Sequence, residues 1–283
     1  MKHFIDSVQE YISNTFDDLQ QVEIIVPNNR TGSALLSSLK KNATKVSWAP
    51  KITPIKEIFA RNAKIHEAEN IVLAYTLYKV FEKHIKNTEG DSSFDNFYNF
   101  GEVLLSDFDD IDKYLVNPDK LFCNIADAKE IDIKFTEIED DLMEILQSFW
   151  QNISNTSVLD KKMKSLELWQ KMPAIYSDFT KALREKGIGY QGLIYRDFVE
   201  NRMLTTDFDS GNYAFVGFSA LNECEKSLFR HIREITKGKT VNACFSGMPT
   251  DTTLTKRNRK LAFSSVPTSR SFLFQKVLNF PTQ

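Results

Sequence analysis

VEIIVPNNRTGSALLSSL, residues 22–39, is the stretch on which the fold of this chain turns. An apolar run from Val22 to Val26 breaks at Pro27, and helical spacing follows from Thr31 to Leu39. The pattern predicts a buried strand, a tight turn and a helix, the junction at which nucleoside triphosphatases hold phosphate. Their cradle is G-x-x-x-x-G-K-[S/T], because glycines turn backbone N–H groups toward phosphate and the lysine reaches its outer oxygens. This turn offers Pro27, Asn28, Asn29, Arg30 and Gly32 instead. The second glycine and the lysine are missing. What remains is Asn28, Asn29 and Arg30 beside a helix N-terminus, a candidate contact for phosphate or DNA.

Working outward, 283 residues suit one large domain or two modest ones. With 22 Phe but only 10 Gly and 8 Pro, long helices are favoured over a turn-rich β architecture. A net charge of −2 excludes binding of nucleic acid by bulk electrostatics alone. The cysteines Cys123, Cys224 and Cys244 are dispersed, without a C-x-x-C or Cys/His spacing, so no zinc site and no disulfide framework is expected. No apolar run approaches the length of a membrane span, and the N-terminus lacks a secretory pattern, so a cytoplasmic, membrane-free protein is expected. No cofactor is expected.

Helices are predicted over 3–15, 68–85, 94–116, 136–153 and 158–186, with Pro173 kinking or dividing the last, and a short one over 190–202. Thr53-Pro54 reads as a helix start, Thr53 as the cap and Pro54 as the first helical residue. NYAFVGF, residues 212–218, reads as a strand, and the helix after it opens on a capping-box pattern, Asn222-x-x-Glu225. A further strand begins near Thr240. Strand–helix units thus stand at both ends, about 20–65 and 210–243, around a helical insertion of about 66–205. Residues 244–283 differ: six Lys or Arg against the single acid Asp251 give +5, leaving −7 on residues 1–243. Eleven Ser or Thr and three prolines in that stretch predict a disordered basic tail.

Other motifs carry less. Gly238-Lys239-Thr240 imitates the end of a phosphate loop, but a helix precedes it and a strand follows, so it reads as a helix-ending glycine. The strand 212–218 ends Val216-Gly217-Phe218-Ser219, without the carboxylate that would hold magnesium. Within SDFDDIDKY, residues 106–114, Asp107 and Asp110 share a helix face, which permits a two-carboxylate metal site. The plainer expectation there is a solvated acidic face over a buried stripe of Phe108, Ile111 and Leu115. His3, His66, His84 and His231 are scattered and form no catalytic arrangement.

FDNFYNFGEVLLSDFDDIDKYLVNPDKLF (94–122), EKGIGYQGLIYRDFVE (185–200) and YAFVGFSALNECEKSLF (213–229), in that order, resemble the N-terminal part of AddB-type proteins of Bacteroidetes. VPNNRTGSALLSSL and KITPIKEIF fit the same alignment. The resemblance covers about residues 1–243. It implies α/β architecture: a P-loop-type, superfamily-1 helicase-like core, degenerate in its nucleotide site, with a large all-helical insertion. It further implies a role in DNA double-strand break repair and recombination, DNA and an AddA-like helicase/nuclease subunit as partners, and no catalysis by this region. The PD-(D/E)XK nuclease of such proteins lies far downstream, so no nuclease residue carries over. The same comparison suggests a truncated chain. Codons for residues 246–272, read one base out of register, can encode the family's continuation, so 244–283 is expected to be an out-of-frame tail. Two other functions are open on the residues themselves: a weak magnesium-dependent nucleotidase or nuclease using the Asp107–Asp112 cluster and Arg30, and a module that binds proteins only.

Overall fold

The computed structural model describes residues 4–16, 18–43, 48–85, 93–124, 158–201, 203, 208, 212–236 and 241–245. The chain is mixed α/β and mostly helical, with a small parallel sheet. It divides into two compact units. One is built from residues 1–63 together with the segment from Asp197, the other from Lys64–Arg196. The expected helix over 136–153, the tail beyond Phe245 and Gly238 lie outside the described residues.

The first unit holds α1 (Phe4–Thr15), β1 (Val22–Val26), α2 (Asn29–Lys41), β2 (Lys51–Pro54) and α3 (Ile55–Asn62). Its later elements are β5 (Asn212–Phe218), α8 (Glu223–Ile235) and β6 (Val241–Phe245). The four strands lie in the order β2-β1-β5-β6, all parallel. Every side chain of Ile24, Ile25 and Val26 is buried, as it must be in a strand with parallel neighbours on both sides and helices over its faces. The alternation of the strand then sorts the contacts. Val22, Ile24 and Val26 share a core with Val8 and Ile12 of α1, Leu35 and Leu39 of α2, and Ala214 and Val216 of β5. On β5 the intervening Phe215 meets Phe229 of α8, ring centroids 3.8 Å apart. The Asn222 capping box forms in full: the Glu225 N–H donates to Asn222 Oδ1 and the Asn222 N–H to Glu225 Oε2.

Two local expectations for this unit are corrected. Lys51–Pro54 is a strand, not the approach to a helix, and Pro54 holds the N-cap position of α3 without a side-chain cap. Thr53 does not cap; its hydroxyl donates to Glu23 Oε1 (2.7 Å) across the β1–β2 pair. Pro54 is tolerated because β2 is the sheet's outer strand among the described residues, where a missing N–H costs no ladder bond. Glu23 also meets Lys51 (3.1 Å) and Arg61 (3.2 Å). Burial pushes its carboxyl up, but the Thr53 hydroxyl and the two cations outweigh that and hold it below the usual value.

The second unit holds β3 (His66–Glu67), α4 (Asn70–His84), α5 (Phe94–Lys113), α6 (Val158–Lys186), β4 (Ile188–Gly189) and the start of α7 (Gln191–Asn201). It is not all-helical, because β3 and β4 form a short parallel pair, with the His66 N–H donating to the Gly187 carbonyl and the Ala68 N–H to that of Gly189. Nor does Pro173 divide α6, which runs as one helix of 29 residues. The phenylalanines explain the long helices. Tyr78 and Phe81 of α4 meet Phe94, Phe97 and Phe100 of α5 at centroid distances of 5.1–5.8 Å. Such rings bring large apolar area and edge-to-face contacts into one seam.

Candidate functional site

In a parallel open sheet, ligands bind beyond the carboxyl ends of the strands where the strand order reverses. Here the chain passes from β1 outward to β2 and later returns to β5 on the other side of β1, so the reversal lies between β1 and β5. The turn carrying Asn28, Asn29 and Arg30 sits at that point. Asn28 is the N-cap of α2, Asn29 and Arg30 are its first two residues, and all three are exposed.

The geometry of the turn limits what it can hold. Asn28 Oδ1 accepts from the Thr31 N–H (3.0 Å) and from the Thr31 hydroxyl (3.2 Å). The Gly32 N–H donates to the Asn28 carbonyl (3.3 Å). The Thr31 amide is therefore capped by the chain itself, as at any capped helix, and the Gly32 bond is the first regular turn of α2. On the facing strand, Gly217 has φ +85° at a bulge, and a Cβ there would stand 2.8 Å from Thr31 Cγ2. The end of β5 thus lies against the turn. Gly32 is just as confined, since its Cβ would meet Ile52 Cγ2 at 3.0 Å. This glycine serves the packing of α2 on β2, not an opening for phosphate.

The acidic run of α5 in the second unit is not a solvated face. Asp112 is fully buried and Asp107 nearly so. Asp112 Oδ1 accepts from Arg196 Nη1 (2.6 Å) and from the Tyr176 hydroxyl, and its Oδ2 from the Tyr190 hydroxyl (2.5 Å). Arg196 Nη2 donates to the Val116 carbonyl (2.6 Å). Burial raises the Asp112 carboxyl above its ordinary value against the pull of Arg196 and the donated bonds, and raises both tyrosines as well. Asp109 is equally committed, taking the Gly192 N–H (2.6 Å) at the start of α7 and Lys113 Nζ (2.5 Å). The expected buried stripe is right for Phe108 and Ile111 but not for Leu115, which is half-buried with φ +53°. Leu115 stands where a helix-ending glycine would stand: the Val116 N–H reaches back to the Ile111 carbonyl and closes α5.

The carboxylates thus tie α5 to α6 and α7. Asp112 is spent on three donated bonds, and among the described residues no group of three or more His, Cys, Asp or Glu could hold a metal ion. A cavity of 240 Å³ beside the run is lined by Glu67, Asn70, Glu102, Ser106, Asp109 and Gln191 among others, an acidic wall that repels phosphate. His66 is exposed on β3, His84 Nε2 lies 2.9 Å from Asp178 Oδ2, and His231 lies edge-on to Phe208.

Sequence reasoning did not find the hub formed by Tyr176, Tyr190 and Arg196 around Asp112. A signal was present, however. Arg196 sits among Leu193, Ile194, Tyr195 and Phe198, all buried, and a cation inside such a run requires an anion. No protein-family model matches the chain, and a search of curated proteins found no match. No helix among the described residues is long and apolar enough to cross a membrane.

Proposed function

We propose that the chain is a non-catalytic, helicase-like module of the AddB type, a P-loop-type core whose nucleotide site has degenerated. It serves double-strand break repair as a scaffold that contacts DNA and an AddA-like ATPase subunit. The single observation that carries the silent part of this proposal is the turn at the strand-order reversal, which lacks the residues of a phosphate loop. Asn28 takes the Thr31 amide, no lysine follows, and Gly217 brings β5 against the turn. A triphosphate with its magnesium needs open amides, a lysine and a carboxylate together. Arg30, exposed at the start of α2, is left as the cation able to meet a DNA phosphate there.

Titration calorimetry of the chain with ATP and magnesium tests the silent part: no heat of binding is expected, and tight magnesium-linked uptake would overturn it. The scaffold part is tested by DNA-dependent and DNA-independent pull-down of an AddA-like subunit; capture without DNA and no DNA affinity would leave a protein-interaction module. Magnesium-dependent hydrolysis of ATP or DNA that disappears in Asp107→Ala or Asp110→Ala would instead establish the catalytic alternative.

A further inference from the structure

Cationic charge is unevenly placed in this chain. Residues 24–56 hold Arg30, Lys40, Lys41, Lys45, Lys51 and Lys56 and not one Asp or Glu, although residues 1–243 carry a net −7. Within that segment Trp48 is 76% exposed, more than any other large hydrophobic side chain among the described residues.

The topology brings part of this segment to one edge. Helix α2 leaves the carboxyl end of β1, and β2 runs parallel to β1. The chain must therefore return to the amino edge of the sheet between them. Lys40 and Lys41 form the last turn of α2 and are exposed. Trp48 stands three residues before the start of β2, and Lys51 opens that strand. Arg61, in the last turn of α3, reaches the same amino half of β1 through Glu23. Of the acids near this edge, Glu23 is paired with Lys51 and Arg61, Asp6 of α1 accepts from the Ser38 hydroxyl (2.9 Å), and Asp18, just ahead of β1, accepts from the Gln20 N–H and Gln21 Nε2 (3.0 Å each).

We propose that the amino edge of the sheet, with Trp48 and the lysines Lys40 and Lys41, is a binding surface for single-stranded nucleic acid. It is distinct from the Asn28–Arg30 turn at the opposite edge. The inference rests on the DNA-contacting part of the proposed function and gives it a location. An exposed indole among lysines meets the two demands of an unpaired strand: an aromatic face for a base, and cations spaced along the backbone. A duplex keeps its bases stacked and offers the indole nothing. A membrane surface would need a continuous apolar face, and Trp48 stands between Ser47 and Ala49, with a lysine three residues away on each side.

The test is fluorescence anisotropy of a labelled oligothymidylate with the full chain and its variants. Trp48→Ala should weaken binding about tenfold or more, while Trp48→Phe retains most of it, because any aromatic face stacks. Lys40→Ala with Lys41→Ala should reduce the slope of log affinity against log salt by roughly 0.7 for each lost phosphate contact. Trp48 is solvent-exposed, so circular dichroism of its variants should match the parent. Binding that is unchanged in all three variants but weakened by Arg30→Ala would overturn this surface and leave the proposed function standing. An absence of oligonucleotide binding would overturn both this surface and the DNA-contacting part of that function. Trp48-dependent binding to phosphatidylserine vesicles or to oligoglutamate, without oligonucleotide binding, would overturn the surface in favour of another anion.

Discussion

Asp112 is the residue with most at stake. Its carboxylate meets Arg196 and two tyrosine hydroxyls with no solvent to share the charge. Asp112→Asn leaves Arg196 buried without its anion, and removing one partner of such a pair costs about 3 kcal/mol or more. Urea denaturation should show that loss as a lower midpoint; an unchanged midpoint would mean that the hub contributes no net stability. Glu23 makes the opposite titration case to a merely buried acid. Its folded-state carboxyl lies below its unfolded value, so its stabilisation is complete above about pH 4.3 and is lost as the pH falls through the folded value. Glu23→Gln should therefore lower the midpoint at neutral pH and flatten the acid limb of a midpoint-against-pH curve. A steeper acid limb would contradict the assignment.

Between elements, glycine marks the closest approach. A Cβ on Gly192 of α7 would lie 2.3 Å from the Asp109 carbonyl oxygen, a backbone atom of α5 that cannot step aside. At Gly187, which follows α6 with φ +69°, a Cβ would meet nothing within 4 Å. The two positions separate steric from conformational cost. Gly187→Ala should cost about 1 kcal/mol through its positive φ alone, and Gly192→Ala up to about 3 kcal/mol through displacement of α7 from α5. Thermal unfolding of the two variants measures the difference; equal losses would place the tight contact elsewhere. Elements with local signals were legible beforehand: β5 from its β-branched and aromatic run, and α8 from Asn222-x-x-Glu225. β2, β3 and β4 were not, because strands of two to four residues have no period to read.

For the molecule as a whole, the division into two units has a measurable consequence. The hub lies entirely within Lys64–Arg196. In Asp112→Asn, hydrogen exchange should accelerate at the amides of α5 and α6 and stay unchanged at β1 and β5. Equal acceleration in both sets would mean that the chain opens as a single cooperative body.

The candidate site was half legible. The missing lysine and the missing carboxylate stand in the sequence, but the approach of Gly217 to Thr31 at the turn depends on β5 coming to lie beside β1. By itself the sequence determined the strand at 22–26, the long aromatic helices, the capped helix 223–235 and the lack of a phosphate loop, because periodicity and capping act between residues a few positions apart. Tertiary structure alone decided the strand order, the use of Thr53 on Glu23, and the meeting of Asp112 with an arginine 84 residues away. A buried charge chooses its partner by what the packing brings within reach, and no local pattern encodes that.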